Sequence, residues 1–411
     1  MDTNEPRSAE VVSNGGIRRR EFLRHTAVGA LPVTYALGGG ALPLARDAGG
    51  AARAPSRQPG PGLIIREREP QNLEFPFATL NGPLTPTEQF YVRNHFALPQ
   101  VEVGSWRLRI EGVGNRAVEL SYEDVVKLPA RTITATLECA GNSRVFLVPT
   151  AAGAQWELGG VSTATWTGVS LSTVLDHVGV HTTVGEVVLE GADNGPIRAE
   201  YPPIAGSIHF ARSLPMAKAL QPEVLLAYRM NGAPLPAAHG FPLRAVVPGW
   251  YGVASVKWLT RLIVTDRPFQ GYFQTLEYSY WERRDGLPSL RPITELQVKA
   301  EIARPAILEV VPAGTVYQVQ GAAWTGESVV TKVEISQDNG LSWATARLMG
   351  APLQTAWRLW EYAWHTPARA GRYTLLARAT DARGRVQPMQ RDTDRRSYMI
   401  NHVLPIAVEV R

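Results

Sequence analysis

The stretch TLECAGNSR at residues 136–144 contains Cys139, the only cysteine among 411 residues. An alternating run at 131–137, rich in β-branched residues, leads into it and predicts a strand. Small, turn-forming residues follow, and the stretch ends at a cation, Arg144. The pattern therefore predicts a strand that delivers one thiol to a loop where backbone can approach another group closely.

A lone cysteine cannot form a disulfide within its own chain. Cys139 is therefore a buried apolar residue, a nucleophile or a metal ligand. The residue alone favours burial and a chemical role about equally. If Arg144 lies near the sulfur it would favour the thiolate, which is the form that suits a soft metal centre.

The motif Cys-Ala-Gly-Asn-x-Arg at a strand end resembles the molybdenum-ligand motif of the sulfite oxidase family. That family is molybdopterin-dependent and includes plant-type nitrate reductases and bacterial sulfane dehydrogenase subunits. The resemblance implies that Cys139 is the single protein thiolate on a molybdenum-oxo centre, beside two dithiolene sulfurs of the pterin.

Two further blocks carry the same resemblance. Arg-Asn-His at 93–95 follows a short aromatic run and resembles the family's N-terminal pterin and substrate motif, although alone it would indicate a surface turn. The strongest match is 212–264, with an Asn-Gly hairpin signal at 231–232. By resemblance, this set binds the pterin and its phosphate: Asn94, His95, Cys139, His239, Arg244, Ser255 and Lys257. His239 is equally consistent with a structural turn histidine.

The resemblance also implies a substrate pocket. Arg93, Arg144 and Arg396 would surround the open face of the metal, and Trp156 would form a wall. Several planar cations around one point suit a small oxyanion such as sulfite. An alternative for Arg396 is a solvated charge cluster at 391–396.

One position departs from the family pattern. Phe210 stands where the family places a catalytic tyrosine, and Tyr201 is an earlier tyrosine that could substitute for it by geometry. The change removes one hydroxyl hydrogen bond to substrate or oxo group. Phe210 and the Pro-Gly-Trp turn at 248–250 also resemble sulfane dehydrogenase subunits, which act on protein-bound sulfur and need a dihaem partner.

The predicted fold class is α+β. A sulfite-oxidase-type mixed α/β molybdopterin domain at 63–295 is followed by an immunoglobulin-like β-sandwich at 296–411, where short alternating strands recur. Helices are predicted at 120–128 with Ser121 as N-cap, at 171–178 and at 212–220. The last region resembles the family's dimerisation domain, which implies a homodimer.

The N-terminus predicts export. Arg18-Arg19-Arg20 precedes Phe22-Leu23 and a weakly apolar run at 26–44, a pattern typical of a twin-arginine signal, with a basic tail as the alternative. The run is too rich in glycine for a stable membrane span. We therefore expect residues 1–54 to be a signal peptide and flexible linker, and the folded protein to be periplasmic.

Composition narrows the classes of partner and cofactor that we expect for this chain. The net charge of +5 is spread along the chain without a basic block, so no nucleic acid partner is expected. One cysteine excludes a Cys-x-x-Cys-His haem site in this chain. The predicted activity is therefore molybdenum-dependent oxidation of sulfite, or a related small sulfur oxyanion, with a separate cytochrome c as electron acceptor. The alternatives are a sulfane dehydrogenase-type subunit and a cofactor-free, secreted β-rich binding protein with Cys139 in its core.

Overall fold

Strands dominate the computed structural model, which describes residues 62–112, 115–197 and 206–411. The strands before residue 295 are β1 (Ile64–Glu67), β2 (Asn72–Glu74), β3 (Arg107–Gly112), β4 (Asn115–Ser121), β5 (Ala130–Glu138), β6 (Val161–Ser170), β7 (Glu186–Pro196), β8 (Ser207–Pro215), β9 (Leu225–Met230), β10 (Ala233–Pro234), β11 (Arg244–Val246), β12 (Leu259–Thr265), β13 (Ser279–Arg284) and β14 (Leu287–Pro292). The α-helices in the described residues are α1 (Tyr122–Lys127), α2 (Leu171–His177) and α3 (Met216–Ala219).

The helices are short, so the α+β prediction understates the share of the described residues that lies in strands. Ser121 caps α1 as predicted: its side chain accepts from the Asp124 N–H, and the Asp124 side chain accepts from the Ser121 N–H. The prediction of α2 is confirmed. The predicted helix at 212–220 is wrong over its first half. Residues 212–215 continue β8, because Leu214 pairs with Val187 of β7, and the helix begins only after Pro215.

Two five-stranded sheets position the centre of the fold. One has the order β10-β9-β6-β5, with β11 also paired to β9, and the other has the order β4-β3-β12-β7-β8. The predicted strand before Cys139 is present as β5, which pairs with β6 along its whole length, from Ala130–Val169 to Glu138–Val161. The predicted hairpin turn joins β9 to β10. Asn231 and Gly232 there adopt φ of 49° and 79°, the left-handed values that an Asn-Gly turn favours.

The region after residue 296 consists of two sheets. Its strands are β15 (Lys299–Arg304), β16 (Val310–Val311), β17 (Val316–Trp324), β18 (Val330–Ser336), β19 (Ala344–Thr345), β20 (Arg347–Leu348), β21 (Arg358–His365), β22 (Gly371–Asp381) and β23 (Ile406–Val410). The sheet orders are β15-β17-β21-β20 and β16-β23-β22-β18-β19. Residues 306–309 form a turn in which the Glu309 carboxylate accepts from the Ala306 N–H.

The apolar core is continuous across the described residues. Buried side chains from the sheets before residue 295 and from the sheets after it belong to one cluster. Trp324, Trp360 and Trp364 contribute the largest fully buried groups of the last region. The described residues fall in one compact unit, and the domain boundaries stay a prediction. In the same residues, no helix combines the length and apolar character needed to cross a membrane.

Candidate active site

A cavity opens where β5 ends, and it encloses about 650 Å³ including its mouth. Eight of the eleven predicted site residues line it: Arg93, Asn94, His95, Cys139, His239, Arg244, Ser255 and Lys257. They come from three separate stretches of the chain, which the two five-stranded sheets before residue 295 bring together. The other three, Arg144, Trp156 and Arg396, are not among the lining residues.

Cys139 is held in a closed turn at the end of β5. Its N–H donates to the Gly160 carbonyl at 2.8 Å, and its own carbonyl accepts from the Asn142 N–H at 2.9 Å. The Asn142 side chain then accepts from the Gly160 N–H at 2.9 Å. Cys139 is 6% exposed and faces the cavity. The predicted thiol at a strand end is therefore present, in a loop whose backbone is fixed on both sides.

Two buried cations form one wall of the cavity. The Arg244 guanidinium donates to the carbonyls of Ala245, His239 and Ser255 and lies 4.8 Å from the centre of the Trp166 ring. Burial lowers the pKa of Arg244 to about 10, so the guanidinium is charged at neutral pH.

Lys257 is the second cation of this wall. Its ammonium group donates to the Asn94 side chain and to the Ala238 carbonyl, and lies 4.3 Å from the centre of the Trp258 ring. Burial, reinforced by the nearby Arg244, lowers the pKa of Lys257 well below its usual value. None of the ion pairs found in the described part of the chain includes Arg93, Arg244 or Lys257. An anionic ligand would therefore complement this wall.

His239 ends a short 3₁₀ turn, Ala237–His239, and its role toward a ligand stays a prediction. It lines the cavity, and its Nε2 is 3.3 Å from the Thr87 carbonyl, which can only accept, so Nε2 carries the proton. Burial and the nearby cations Lys257 and Arg244 lower the pKa of His239 to about 3, so the ring is neutral. A neutral, anchored ring helps to shape the cationic wall.

Two polar atoms of the cavity have no hydrogen-bond partner among the residues that the structure describes. They are Nδ2 of Asn94, a donor, and Oδ1 of Asp193, an acceptor, and both residues are at most 4% exposed. Burial raises the pKa of Asp193 to about 6. Such atoms are costly unless a ligand or water satisfies them. Asp193 lies within β7, at a register shift between Glu190 and Asn194 that re-aims the strand.

An aromatic group borders the cavity near Arg93. The His95 ring stacks on Phe210 with centroids 4.5 Å apart, and His95 Nε2 lies 2.7 Å from the Tyr278 hydroxyl. Burial lowers the pKa of His95 well below its usual value, with Arg93 and Lys257 adding to the effect, so the ring is neutral. Sequence reasoning missed Tyr278, which follows a π-helical turn, Phe273–Glu277, that has no recognisable periodicity. Tyr201 lies outside the described residues.

The three remaining predicted residues do not line the cavity; Arg144 and Trp156 are buried, whereas Arg396 is exposed. Arg144 is buried and donates to the carbonyls of Ala154 and Ser397 at 2.8 and 3.3 Å. Trp156 is fully buried with its ring 6.1 Å from that of Tyr91. Arg396 donates to the Leu276 carbonyl and to the Ser279 side chain, both at 2.9 Å. Of the predicted arginine ring, only Arg93 lines the cavity, because backbone carbonyls hold the other two guanidinium groups.

A buried charge cluster, Glu138–Lys299–Glu301, fastens the Cys139 loop to β15. Lys299 Nζ lies 3.1 Å from Glu138 Oε1 and 2.7 Å from Glu301 Oε1, and it donates to Ser143 Oγ at 2.9 Å. The three charged side chains are between 1% and 2% exposed. Burial raises the pKa of Glu301 to about 7 although Lys299 opposes it. This cluster was not predicted, because Glu138 lies about 160 positions before Lys299 and Glu301 in the chain.

Comparison with known proteins places the chain in a class. Residues 95–273 match the oxidoreductase molybdopterin binding domain, and residues 290–410 match the Mo-co oxidoreductase dimerisation domain. A structure of the sulfane dehydrogenase SoxCD from Paracoccus pantotrophus resembles the fold with a TM-score of 0.70 and 28% identity, covering 82% of this chain and 83% of that one. The class is therefore that of the molybdopterin oxidoreductases.

Two curated relatives identify the family. The chain is 39% identical to sulfite oxidase of Gallus gallus over 349 residues, covering 80% of this chain and 73% of that protein. It is 37% identical to mitochondrial sulfite oxidase of Rattus norvegicus over 354 residues, covering 80% of this chain. It spans 62% of the rat protein's length. The chain belongs to the sulfite oxidase family, as the Cys139 motif predicted.

Proposed function

We propose that this protein oxidises sulfite to sulfate with a molybdenum cofactor and passes the electrons to a separate c-type cytochrome. One observation carries the proposal: the only cysteine of the chain faces a cavity whose cations have no ion-pair partner among the described residues. The names of the two curated relatives and of the structural neighbour agree with sulfur oxidation.

The residues present fit a molybdopterin. Its phosphate would lie against Arg244 and Lys257, whose charges lack ion-pair partners in the described residues. Its polar groups would satisfy Asn94 Nδ2 and Asp193 Oδ1, which are buried and lack hydrogen-bond partners in the described part of the chain. The Cys139 thiolate would bind the metal. When bound, this cofactor supplies two-electron redox chemistry and an oxo group for transfer to sulfur.

The chain's own groups would bind and orient the oxyanion. Arg93 offers a planar cation at the cavity surface. His95 and Phe210 form a stacked wall that excludes water from one side. His95 is neutral and so adds no charge beside Arg93. The charge cluster of Glu138, Lys299 and Glu301 would keep the Cys139 loop in one position while substrate and product exchange.

The direct test is sulfite-dependent reduction of cytochrome c or ferricyanide, normalised to bound molybdenum. We expect wild-type protein to turn over sulfite and Cys139→Ser to lose at least 99% of the rate, about 2.7 kcal/mol in the barrier, while remaining folded. Arg372→Lys, at an exposed position of β22, is the matched control and should retain the wild-type rate. Molybdenum-loaded wild type that is inert to sulfite would refute the proposal.

A second candidate is a sulfane dehydrogenase-type activity on protein-bound sulfur. Two observations favour it: the structural neighbour is a sulfane dehydrogenase, and Phe210 offers no hydroxyl at the cavity wall. Activity on a persulfide carried by a partner protein, with none on free sulfite, would favour this candidate.

The proposal extends to assembly and location. The paired sheets after residue 296 support an immunoglobulin-like sandwich, and the dimerisation-domain match supports a homodimer formed through it. Light scattering of the purified protein tests the dimer, since a monomer at micromolar concentration would contradict it. The proposed periplasmic location rests on the twin-arginine pattern at 18–24, which lies outside the described residues. Loss of export in an Arg19→Lys/Arg20→Lys variant tests it.

A further inference from the structure

The strand pair β1–β2 brings a buried amide next to Arg93. Asn72, the first residue of β2, is fully buried and is the cross-strand partner of Glu67, the last residue of β1. The next residue, Leu73, exchanges two backbone hydrogen bonds with Val92, at 2.9 and 2.8 Å. Because Arg93 follows Val92 in the chain, this backbone pairing holds Asn72 close to Arg93.

The contacts of the Asn72 amide allow only one orientation. Its Oδ1 accepts from the Asn94 N–H at 2.8 Å and lies 3.4 Å from a terminal nitrogen of Arg93. Both of these partners can only donate, so the oxygen must face them. Asn72 Nδ2 then donates to the Glu67 carboxylate. The amide therefore accepts on the side of the guanidinium and donates on the side of the carboxylate.

This arrangement separates two opposite charges. Neither Arg93 nor Glu67 belongs to any of the ion pairs found in the described part of the chain. The two groups are nevertheless close, since burial would lower the pKa of Arg93 but nearby acidic groups, Glu67 among them, raise it. A carboxylate in direct contact with the guanidinium would neutralise it and compete with an oxyanion for its donors.

We infer that Asn72 is a positioning residue that keeps the Glu67 carboxylate off Arg93 and so leaves the guanidinium charge for an oxyanion in the cavity of Cys139. The inference rests on the proposed function, because it takes Arg93 to bind sulfite. Asn72 and Glu67 do not line the cavity themselves. An ionised aspartate at position 72 could not replace the amide, since it cannot donate to Glu67 and would itself pair with Arg93.

The test exchanges the amide and the carboxylate in the variant Asn72→Asp/Glu67→Gln. The new glutamine can donate to the new aspartate, so the variant keeps its net charge and its hydrogen bonds but has a carboxylate against Arg93. Calorimetry on oxidised, molybdenum-loaded protein gives the sulfate affinity. We expect the exchange to weaken sulfate binding about tenfold or more, the value of one hydrogen bond to a charged group. A smaller loss would overturn the inference.

A matched control makes the same exchange of residue types far along the chain. Asn339→Asp/Glu409→Gln also keeps the net charge, and both positions lie in the region after residue 296 and do not line the cavity. This variant should keep the wild-type sulfate affinity within about twofold. An equal loss in the control would show that the effect is not specific to Arg93 and would overturn the inference.

Steady-state kinetics distinguish the proposed role from a general weakening of the fold. Asn72→Asp/Glu67→Gln should raise KM for sulfite about tenfold and leave kcat within about threefold, because the change acts on binding of the oxyanion. A fall in kcat with an unchanged KM would contradict a role of Asn72 in anion binding.

A second pair of variants gives the answer if the exchanged protein does not fold. Asn72→Ala opens the space between Glu67 and Arg93 and should weaken sulfate binding. Asn72→Ala/Glu67→Gln should recover part of that loss, because no carboxylate is left to reach the guanidinium. No loss in the first variant, or no recovery in the second, would overturn the inference.

Failure of the proposed function gives a different pattern of results. Wild-type protein that binds sulfate but does not oxidise sulfite overturns the function and leaves the sulfate affinities of the variants to test Asn72. Wild-type turnover of sulfite, with unchanged sulfate affinity in Asn72→Asp/Glu67→Gln, overturns the role of Asn72 alone. Wild-type protein that neither binds sulfate nor oxidises sulfite overturns both.

Discussion

Replacing Lys299 with methionine should test whether β15 holds the Cys139 loop. The ammonium group lies 3.1 Å from Glu138 Oε1, 2.7 Å from Glu301 Oε1 and 2.9 Å from Ser143 Oγ. Methionine keeps the length of the side chain but removes its charge and donors. Two buried carboxyl groups would then face each other without a cation between them.

The expected loss in the free energy of unfolding follows from these contacts. Removing one partner of a buried ion pair costs about 3–5 kcal/mol. The lower end applies here, because burial already raises the pKa of Glu301 to about 7 and this carboxyl can take up a proton when Lys299 is lost. A loss of about 3 kcal/mol corresponds to a fall in melting temperature of roughly 6–12 °C, at the 2–4 °C per kcal/mol found for large domains.

The assay is thermal unfolding of the loaded protein at pH 8, with molybdenum content measured on the same sample. Lys332→Met is the matched control. Lys332 also lies 3.1 Å from a carboxylate, that of Glu334, but its side chain is 46% exposed. An exposed pair contributes at most about 1 kcal/mol. Equal melting temperatures for Lys299→Met and Lys332→Met would refute the view that the buried cluster holds the loop.

Three further outcomes are expected. Arg93→Lys should raise KM for sulfite about tenfold in steady-state kinetics, because a point charge replaces a planar donor; an unchanged KM would contradict this. Asp193→Ala should lower the molybdenum content per chain, measured by mass spectrometry of the metal, since it removes an unpartnered acceptor; full loading would count against this contact. Because burial raises the folded-state pKa of Glu301 from 4.5 to about 7, wild-type stability should fall as pH rises through that window. In Glu301→Gln, denaturant titrations should show no fall in stability as pH rises through this window. An unchanged fall would assign the pH dependence to another group.

Local sequence patterns predicted the elements whose geometry is set within a few residues. The capping box at Ser121 and the Asn-Gly turn at 231–232 depend only on neighbouring residues. The strand before Cys139 alternates clearly. The helix from residue 212 was predicted wrongly over its first half, because pairing with β7 overrides a local helix signal.

Eight of the eleven residues predicted from the motifs line the cavity, but the motifs contained no information on side-chain direction. Arg144 lies only five positions after Cys139, yet its guanidinium turns to the Ala154 carbonyl. Tyr278 and Lys299 come from distant segments without recognisable patterns. Their roles depend on which strands the fold brings together, and a single sequence contains no direct record of that.

The number of sulfur atoms bound to molybdenum tests the central role of Cys139 most directly. X-ray absorption at the molybdenum edge should show three sulfur ligands in the wild-type protein. Two of them would come from the pterin and one from Cys139, whose replacement by serine should leave two. Two sulfur ligands in wild type, or three in Cys139→Ser, would contradict the assignment of Cys139 as the metal ligand.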